Sequence, residues 1–449
     1  MLGSSRGQFQ SRFGFVMAAA GSAVGLGNIW GFPTQTASNG GAAFVAVYLV
    51  LAFCLAYPIL LAEFTLGRHG HSNPIDSLLS VSKRPFARAL SWLAGSWGVL
   101  AVSSILAFYA VVGGWIIAHI AAVFASIAGL EEVNEWLLTF GSARNFVFML
   151  MFMLMTAWVV HSGIKDGIER LCSRLMPTLF VMMLILIAYV STLEGASDGM
   201  RAFLVPRTEH IQPSLILDAM GQAFFSLSLG VGTMLVYASY LPDDSELPKL
   251  AALVTLSDVG VAVLAGLLIM PTMYVAMHQG VTIFDDAGQL ISGDTLVFRV
   301  LPSLFDSLGT VGIVVALVFF LLLLFAALTS SVSMLEVSVA TLVEKTSLNR
   351  SKASAIAGIG IGGLSSLLVF DFEHLFGLVV MLTTQYSQPL IGLLFCVFVG
   401  WLWNRNALLK EISNGDDAVA SSLFMKIWPV YVGVVCPLVI LLIVWQSIS

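Results

Sequence analysis

Gly21-Ser-Ala-Val-Gly-Leu-Gly-Asn28, continued by Ile29-Trp30-Gly31-Phe32-Pro33, sits in the middle of an apolar run that would otherwise cross a bilayer as one helix. Glycine costs a helix interior about 1 kcal/mol relative to alanine, so the cluster needs a reason. Close packing of two helices is one, because Gly21-xxx-Gly25 is a small-xxx-small pattern. A second cluster points elsewhere: Phe224-Phe-Ser-Leu-Ser-Leu-Gly-Val-Gly232 again sets hydroxyls and paired glycines near the middle of an apolar run. A break at mid-membrane frees backbone groups, each costing several kcal/mol in hydrocarbon, and is tolerated only where it lines a cavity or is packed in protein.

The rest of the chain supplies a membrane setting. Of 449 residues, 58% are hydrophobic and 10% charged, with mean hydropathy +0.94 and formal net charge -6. Soluble proteins carry about 25% charged residues, so this composition excludes aqueous enzymes, nucleic-acid binders and disordered chains. Apolar runs predict eleven membrane helices, at about 12–37, 42–67, 89–126, 143–161, 168–192, 213–240, 250–278, 308–343, 352–370, 374–403 and 425–446. The first is read as a retained helix: it lacks a small-residue cleavage site, and Gly25, Gly27 and Pro33 interrupt it.

Of the 20 Lys and Arg residues, all but Arg144, Arg201, Arg207 and Arg299 fall on the side of the N-terminus. Cytoplasmic loops retain positive charge, so the N-terminus is expected in the cytoplasm and the end of the eleventh span outside. Cys54, Cys172, Cys396 and Cys436 are scattered in or beside apolar runs and read as packed small side chains. The seven histidines form no metal-ligand spacing, and no P-loop occurs.

Spans 1 and 6 are five apart, so residues 1–192 and 193–404 read as a tail with one five-helix repeat and a second such repeat; residues 405–449 add a loop and span 11. An odd helix count per repeat inverts the second copy. Broken helices at corresponding positions of inverted repeats point to a transporter's binding site. The half-helix after a break offers N–H groups suited to a carboxylate. The half-helix before it offers carbonyls that replace water around an alkali cation. No Asp or Glu lies within Gly21–Phe32 or Phe224–Gly232, so an amino acid zwitterion suits the breaks better than a simple amine. Thr329 and Ser330 in span 8 are further oxygen ligands, or hydroxyls bonded to their own helix.

The motifs AVGLGNIWGFP (Ala23 to Pro33), NGGAAF (Asn39 to Phe44), GQAFFSLSLGVG (Gly221 to Gly232), YASY (Tyr237 to Tyr240) and LTSS (Leu328 to Ser331) resemble the neurotransmitter:sodium symporters, along nearly the whole chain. The resemblance implies an all-α, eleven-span, LeuT-like 5+5 inverted repeat. It also implies sodium-coupled import of hydrophobic L-amino acids, with no organic cofactor, no catalysis and no nucleic-acid partner, across a bacterial plasma membrane. A sodium-dependent receptor or a channel is the alternative.

Carried over residue by residue, the first sodium site would use Ala23, Asn28, Ser226 and Ser257, with Asp258 as the rival to Ser257. The second would use Gly21, Val24, Ala326, Thr329 and Ser330. Substrate would meet Ala23, Leu26, Gly27, Ile105, Tyr109, Phe225, Ser226, Ser228, Val231, Ser330 and Met334, the small Val231 leaving room for a large side chain. The inner gate would pair Arg6 with Glu344, beside Phe9 and Tyr240. Gly31 stands where the family commonly has an outer-gate arginine, so Trp30, Tyr109 and Phe225 are expected to close that end by packing. Glu63 is expected to fix the span 1 backbone, and Gly167-x9-Pro177 to form a flexible or kinked stretch.

Overall fold

The structure is a computed structural model that describes residues 7–206, 212–284, 290, 297–298, 301–302, 305, 308–414 and 422–448. Nine helices are long and apolar enough to cross a membrane among these residues. They are Ala42–Gly70, Pro85–Ile127, Ser142–His161, Ile164–Val190, Leu247–His278, Gly309–Lys345, Arg350–Phe370, Phe372–Leu402 and Phe424–Leu442. Arg12–Ala23 and Gly27–Ser38 form a further span, bent by 54°. Pro213–Ser226 and Thr233–Ala238, short by themselves, complete an interrupted span 6, giving the eleven segments expected. Span 3 starts a turn earlier than its apolar run, because Pro85 opens the helix at N1 where its missing N–H is not needed.

Span 1 breaks after Ala23. Val24 turns extended (φ -70°, ψ 102°), its N–H still bonded to the Ala20 carbonyl, and a wide π-type turn starts the second half at Gly27. Small residues permit the break to pack: a Cβ on Gly25 would lie 2.5 Å from the Tyr109 hydroxyl and 2.7 Å from Ser330 Oγ. Span 6 breaks over Leu227–Gly232, where Ser228, Gly230 and Gly232 all take positive φ. A serine there is uncommon. Gly230 has no alternative, since a Cβ would lie 2.0 Å from the Gln388 carbonyl oxygen of span 10.

Neighbouring spans satisfy the freed backbone, as a break in hydrocarbon requires. Glu63 of span 2 is fully buried and its Oε1 accepts the Gly230 N–H at 2.7 Å. This corrects the expectation that Glu63 serves span 1: it holds the break of span 6. Gln388 Nε2 donates to the Phe224 carbonyl at 3.2 Å, and the two breaks meet where Ser228 Oγ donates to the Ser22 carbonyl at 3.1 Å.

The face carrying the N-terminus is rich in ionic ties. Glu336, fully buried in span 8, accepts from both terminal nitrogens of Arg350 and from the Tyr240 hydroxyl at 2.7 Å. Arg68 at the end of span 2 is likewise buried, and bonds Glu411 of the helix Arg405–Ser413 at 2.8 Å. Burial pushes the Glu411 carboxyl up, but hydrogen bonds from His69 and Arg68 and the Arg68 charge hold it below its ordinary value. A depressed carboxylate contributes stability above its unfolded pKa and loses it as pH falls through the folded one, so this tie is complete at neutral pH.

Candidate functional site

The two breaks meet directly at mid-bundle, and Asp258 of span 7 joins them from one side. Asn28 bridges them: its Oδ1 accepts the Gly25 N–H at 3.1 Å, and its Nδ2 donates to Ser226 Oγ at 2.9 Å and to Asp258 Oδ1 at 2.7 Å. Ser226 Oγ also lies 2.9 Å from Asp258 Oδ2, and Tyr48 of span 2 reaches Ser226 at 3.2 Å and Asp258 at 3.4 Å. Asp258 is fully buried among these groups. Ser257, named for this place from sequence, instead turns away, its hydroxyl donating to the Leu253 carbonyl at 2.8 Å. The physical reason is helix geometry: adjacent residues differ by about 100° around the axis, and the packing of span 7 aims Asp258 inward.

A second group of oxygens lies across span 1. Ser330 Oγ is 3.1 Å from both the Gly21 and Val24 carbonyls. Thr329 Oγ1 stays with its own helix, 3.1 Å from the Ala326 carbonyl and 3.0 Å from that of Phe325. Gly21 lets the helices approach, a Cβ there standing 3.0 Å from Thr329 Cβ. The structure thus gathers Gly21, Val24, Ala326, Thr329 and Ser330, all neutral oxygen donors.

Beside these groups the Leu26 N–H donates to the Tyr109 hydroxyl at 3.0 Å. Ala23, Ile105, Ser226, Ser228, Val231 and Met334 are buried, and Phe225 is half-buried. A cavity of about 1120 Å³ descends to Leu26, Tyr109 and Phe225 from the face opposite the N-terminus. Its wall is aromatic: the Phe298 ring meets Trp30 at 5.7 Å and Trp115 at 5.6 Å, and Phe372 stacks on Phe376 at 4.5 Å. Gly31 lies beside Gln222, whose Nε2 donates to the Gly27 carbonyl at 2.9 Å.

At the other end Phe9 packs edge-on to Tyr237 at 5.7 Å and to Tyr240 at 6.4 Å. Arg6 lies outside the described residues, and Glu344 accepts from the Ser72 hydroxyl and, at 2.7 Å, from the Asn73 N–H. Sequence reasoning missed Tyr48, Gln222 and Gln388. Each is a polar group within a predicted span, the signal that could have found them.

Paired broken helices around buried oxygen donors, at the floor of a cavity, are the architecture of a secondary transporter. The chain matches the model of the sodium:neurotransmitter symporter family over residues 6–139 and 132–449, and it belongs to that family. It is 37% identical over 453 residues, 97% of this chain and 96% of the other, to the Bacillus subtilis protein named uncharacterized sodium-dependent transporter YhdH. A Haemophilus influenzae protein named uncharacterized sodium-dependent transporter is 32% identical, over 98% of this chain and 97% of its own. Among solved structures, MhsT in complex with L-phenylalanine superposes with a TM-score of 0.84 at 35% identity, covering 99% of this chain and 100% of MhsT. The fold is therefore the LeuT fold, and the protein is a sodium-dependent multi-pass membrane transporter rather than an enzyme.

Proposed function

We propose that the protein imports hydrophobic L-amino acids, aliphatic and aromatic, by sodium symport with alternating access, from the cavity face to a cytoplasm that holds the N-terminus. The observation that carries this reading is the convergence of Asn28, Ser226 and Asp258 with the freed backbone of both breaks, beneath an aromatic cavity. MhsT, similar along the whole chain, has been solved with L-phenylalanine.

In this reading the first sodium binds the Ala23 carbonyl, Asn28, Ser226 and Asp258, together with the substrate carboxylate. The second binds Gly21, Val24, Ala326, Thr329 and Ser330. The substrate carboxylate also meets the Leu26 and Gly27 N–H groups and Tyr109. Its side chain lies among Ile105, Phe225, Ser228, Val231 and Met334. Because the substrate carboxylate binds the first sodium, each tightens the other by the same factor. Asp258 adds a resident negative charge, so no chloride is needed to balance two cations. Each inward charge gains about 2.3 kcal/mol per 100 mV, so two ions with a zwitterion give roughly three decades of accumulation.

Radiolabelled leucine or tryptophan uptake into liposomes tests the reading. An inward sodium gradient should drive accumulation, undiminished when gluconate replaces chloride. Binding without accumulation would mean a receptor, conductance far above transporter turnover a channel, and displacement by glycine, alanine or charged amino acids alone a different substrate class.

A further inference from the structure

The first turn of span 1 is held by a carboxylate from another span. Glu169 ends the wide turn Ile164–Glu169 that opens span 5, and is 8% exposed. Its Oε2 accepts the Gln10 backbone N–H at 2.9 Å, and its Oε1 accepts the Ser11 hydroxyl at 3.2 Å. Ser11 is itself the N-cap of Arg12–Ala23, its oxygen accepting the Gly14 N–H at 2.9 Å. The seat depends on glycine, since a Cβ on Gly14 would lie 1.9 Å from Glu169 Oε1. A carboxylate there meets the unpaired N–H groups and partial positive charge of a helix start. Glu246 also reaches Arg12, at 3.2 Å, but that arginine is 68% exposed, and exposed pairs contribute little.

The same two helices meet again further along. A Cβ on Gly21 would stand 3.4 Å from Cys172 Sγ and from Met176, both on span 5. Gly21 also supplies one of the carbonyls that Ser330 reaches. Gly14 and Gly21 are about 10 Å apart along a straight helix, so the half-helix is a rigid lever from Glu169 to the second group of oxygens.

We infer that Glu169 is a positioning residue for alternating access, the latch of the inner gate. While it holds Gln10 and Ser11, Arg12–Ala23 stays against span 5 and keeps Gly21 and Val24 beside Ser330. When it lets go, the half-helix tilts away and opens the second sodium site toward the N-terminal face. The symport reading supplies what leaves through this gate; the latch itself stands on the contacts above.

Cys172, buried between the two helices, reports the opening. In a Cys54→Ser background, its labelling by a water-soluble maleimide is measured in sodium-containing proteoliposomes. Glu169→Gln and, independently, Gly14→Ala should each raise the rate roughly tenfold, as loss of one hydrogen bond to a charged group implies. Glu169→Asp should stay nearer the parent. Both labelling-sensitive variants should also raise the half-saturating sodium concentration for uptake more than they change the maximal rate. Ser11→Ala removes one bond at an exposed cap and carries the same comparison should either variant fold poorly. Parent-like labelling in all the folded variants overturns the latch. A tenfold labelling contrast without sodium-driven uptake by the parent would instead sink the symport reading and leave the latch standing.

Discussion

The two oxygen clusters flanking span 1 lie close together and differ in one respect that matters. The Asn28 cluster contains a fully buried carboxylate, Asp258, held by Asn28, Ser226 and Tyr48. The Ser330 cluster contains only carbonyls and hydroxyls, and Ser330 spans it by bonding two carbonyls at once. A charged ligand deep in protein binds a cation strongly but is costly to leave unpaired. Neutral oxygens bind more weakly and release more readily. In the proposed cycle the first cluster therefore commits sodium and substrate together, and the second, on the helix that Glu169 latches, is the one that lets go.

The sharpest way to break this contrast is Asp258→Asn. Losing one partner of a buried charge pair costs about 3–5 kcal/mol, so the half-saturating sodium concentration for uptake should rise at least about 100-fold. Asn28→Ala comes next: it removes the bridge between the breaks, and should weaken sodium and amino acid binding together by about tenfold or more, a loss of hydrogen bonds to a charged group. Unchanged sodium dependence would detach Asn28 from the ion. Ser330→Ala removes a neutral ligand, worth about 1 kcal/mol, and should raise the sodium requirement roughly fivefold while equilibrium binding of labelled leucine shifts less. Ser257→Ala is the control with the smallest effect, within about twofold for a site outside such features. A large loss there would return the span 7 ligand to Ser257 and erase the contrast.

Two ends of the molecule repeat the lesson on a larger scale. The cavity end is walled by rings such as Trp30, Phe298 and Trp115, whereas the N-terminal end is tied by Glu169, Glu336 with Arg350, and Arg68 with Glu411. The rings expected from sequence at the cavity end, Trp30, Tyr109 and Phe225, all line the cavity. The N-terminal end was less legible, because Glu169 sits in a charged stretch beside Lys165, Asp166 and Arg170, and no motif singles it out.

Much of the fold was readable from periodicity and composition, since a span must be about 20 apolar residues long wherever it occurs. The breaks were readable because glycine clusters in such runs are costly. Individual side chains were harder. Ser257 and Asp258 occupy neighbouring positions on one helix, and Glu63 could have served either broken helix that passes span 2.

Sequence alone thus determined that this chain is a helical membrane bundle, interrupted twice at matching places, with the breaks themselves built largely from glycine, hydroxyls and backbone. Hydrophobic patterning and glycine's helix cost act locally, and local rules can be read along a chain. Only the tertiary structure decided that Asp258 faces Asn28, that Glu63 holds the break of span 6 and that Glu169 grips the start of span 1. Those outcomes depend on the rotation of each helix about its own axis, which is set by packing against neighbours far away in sequence.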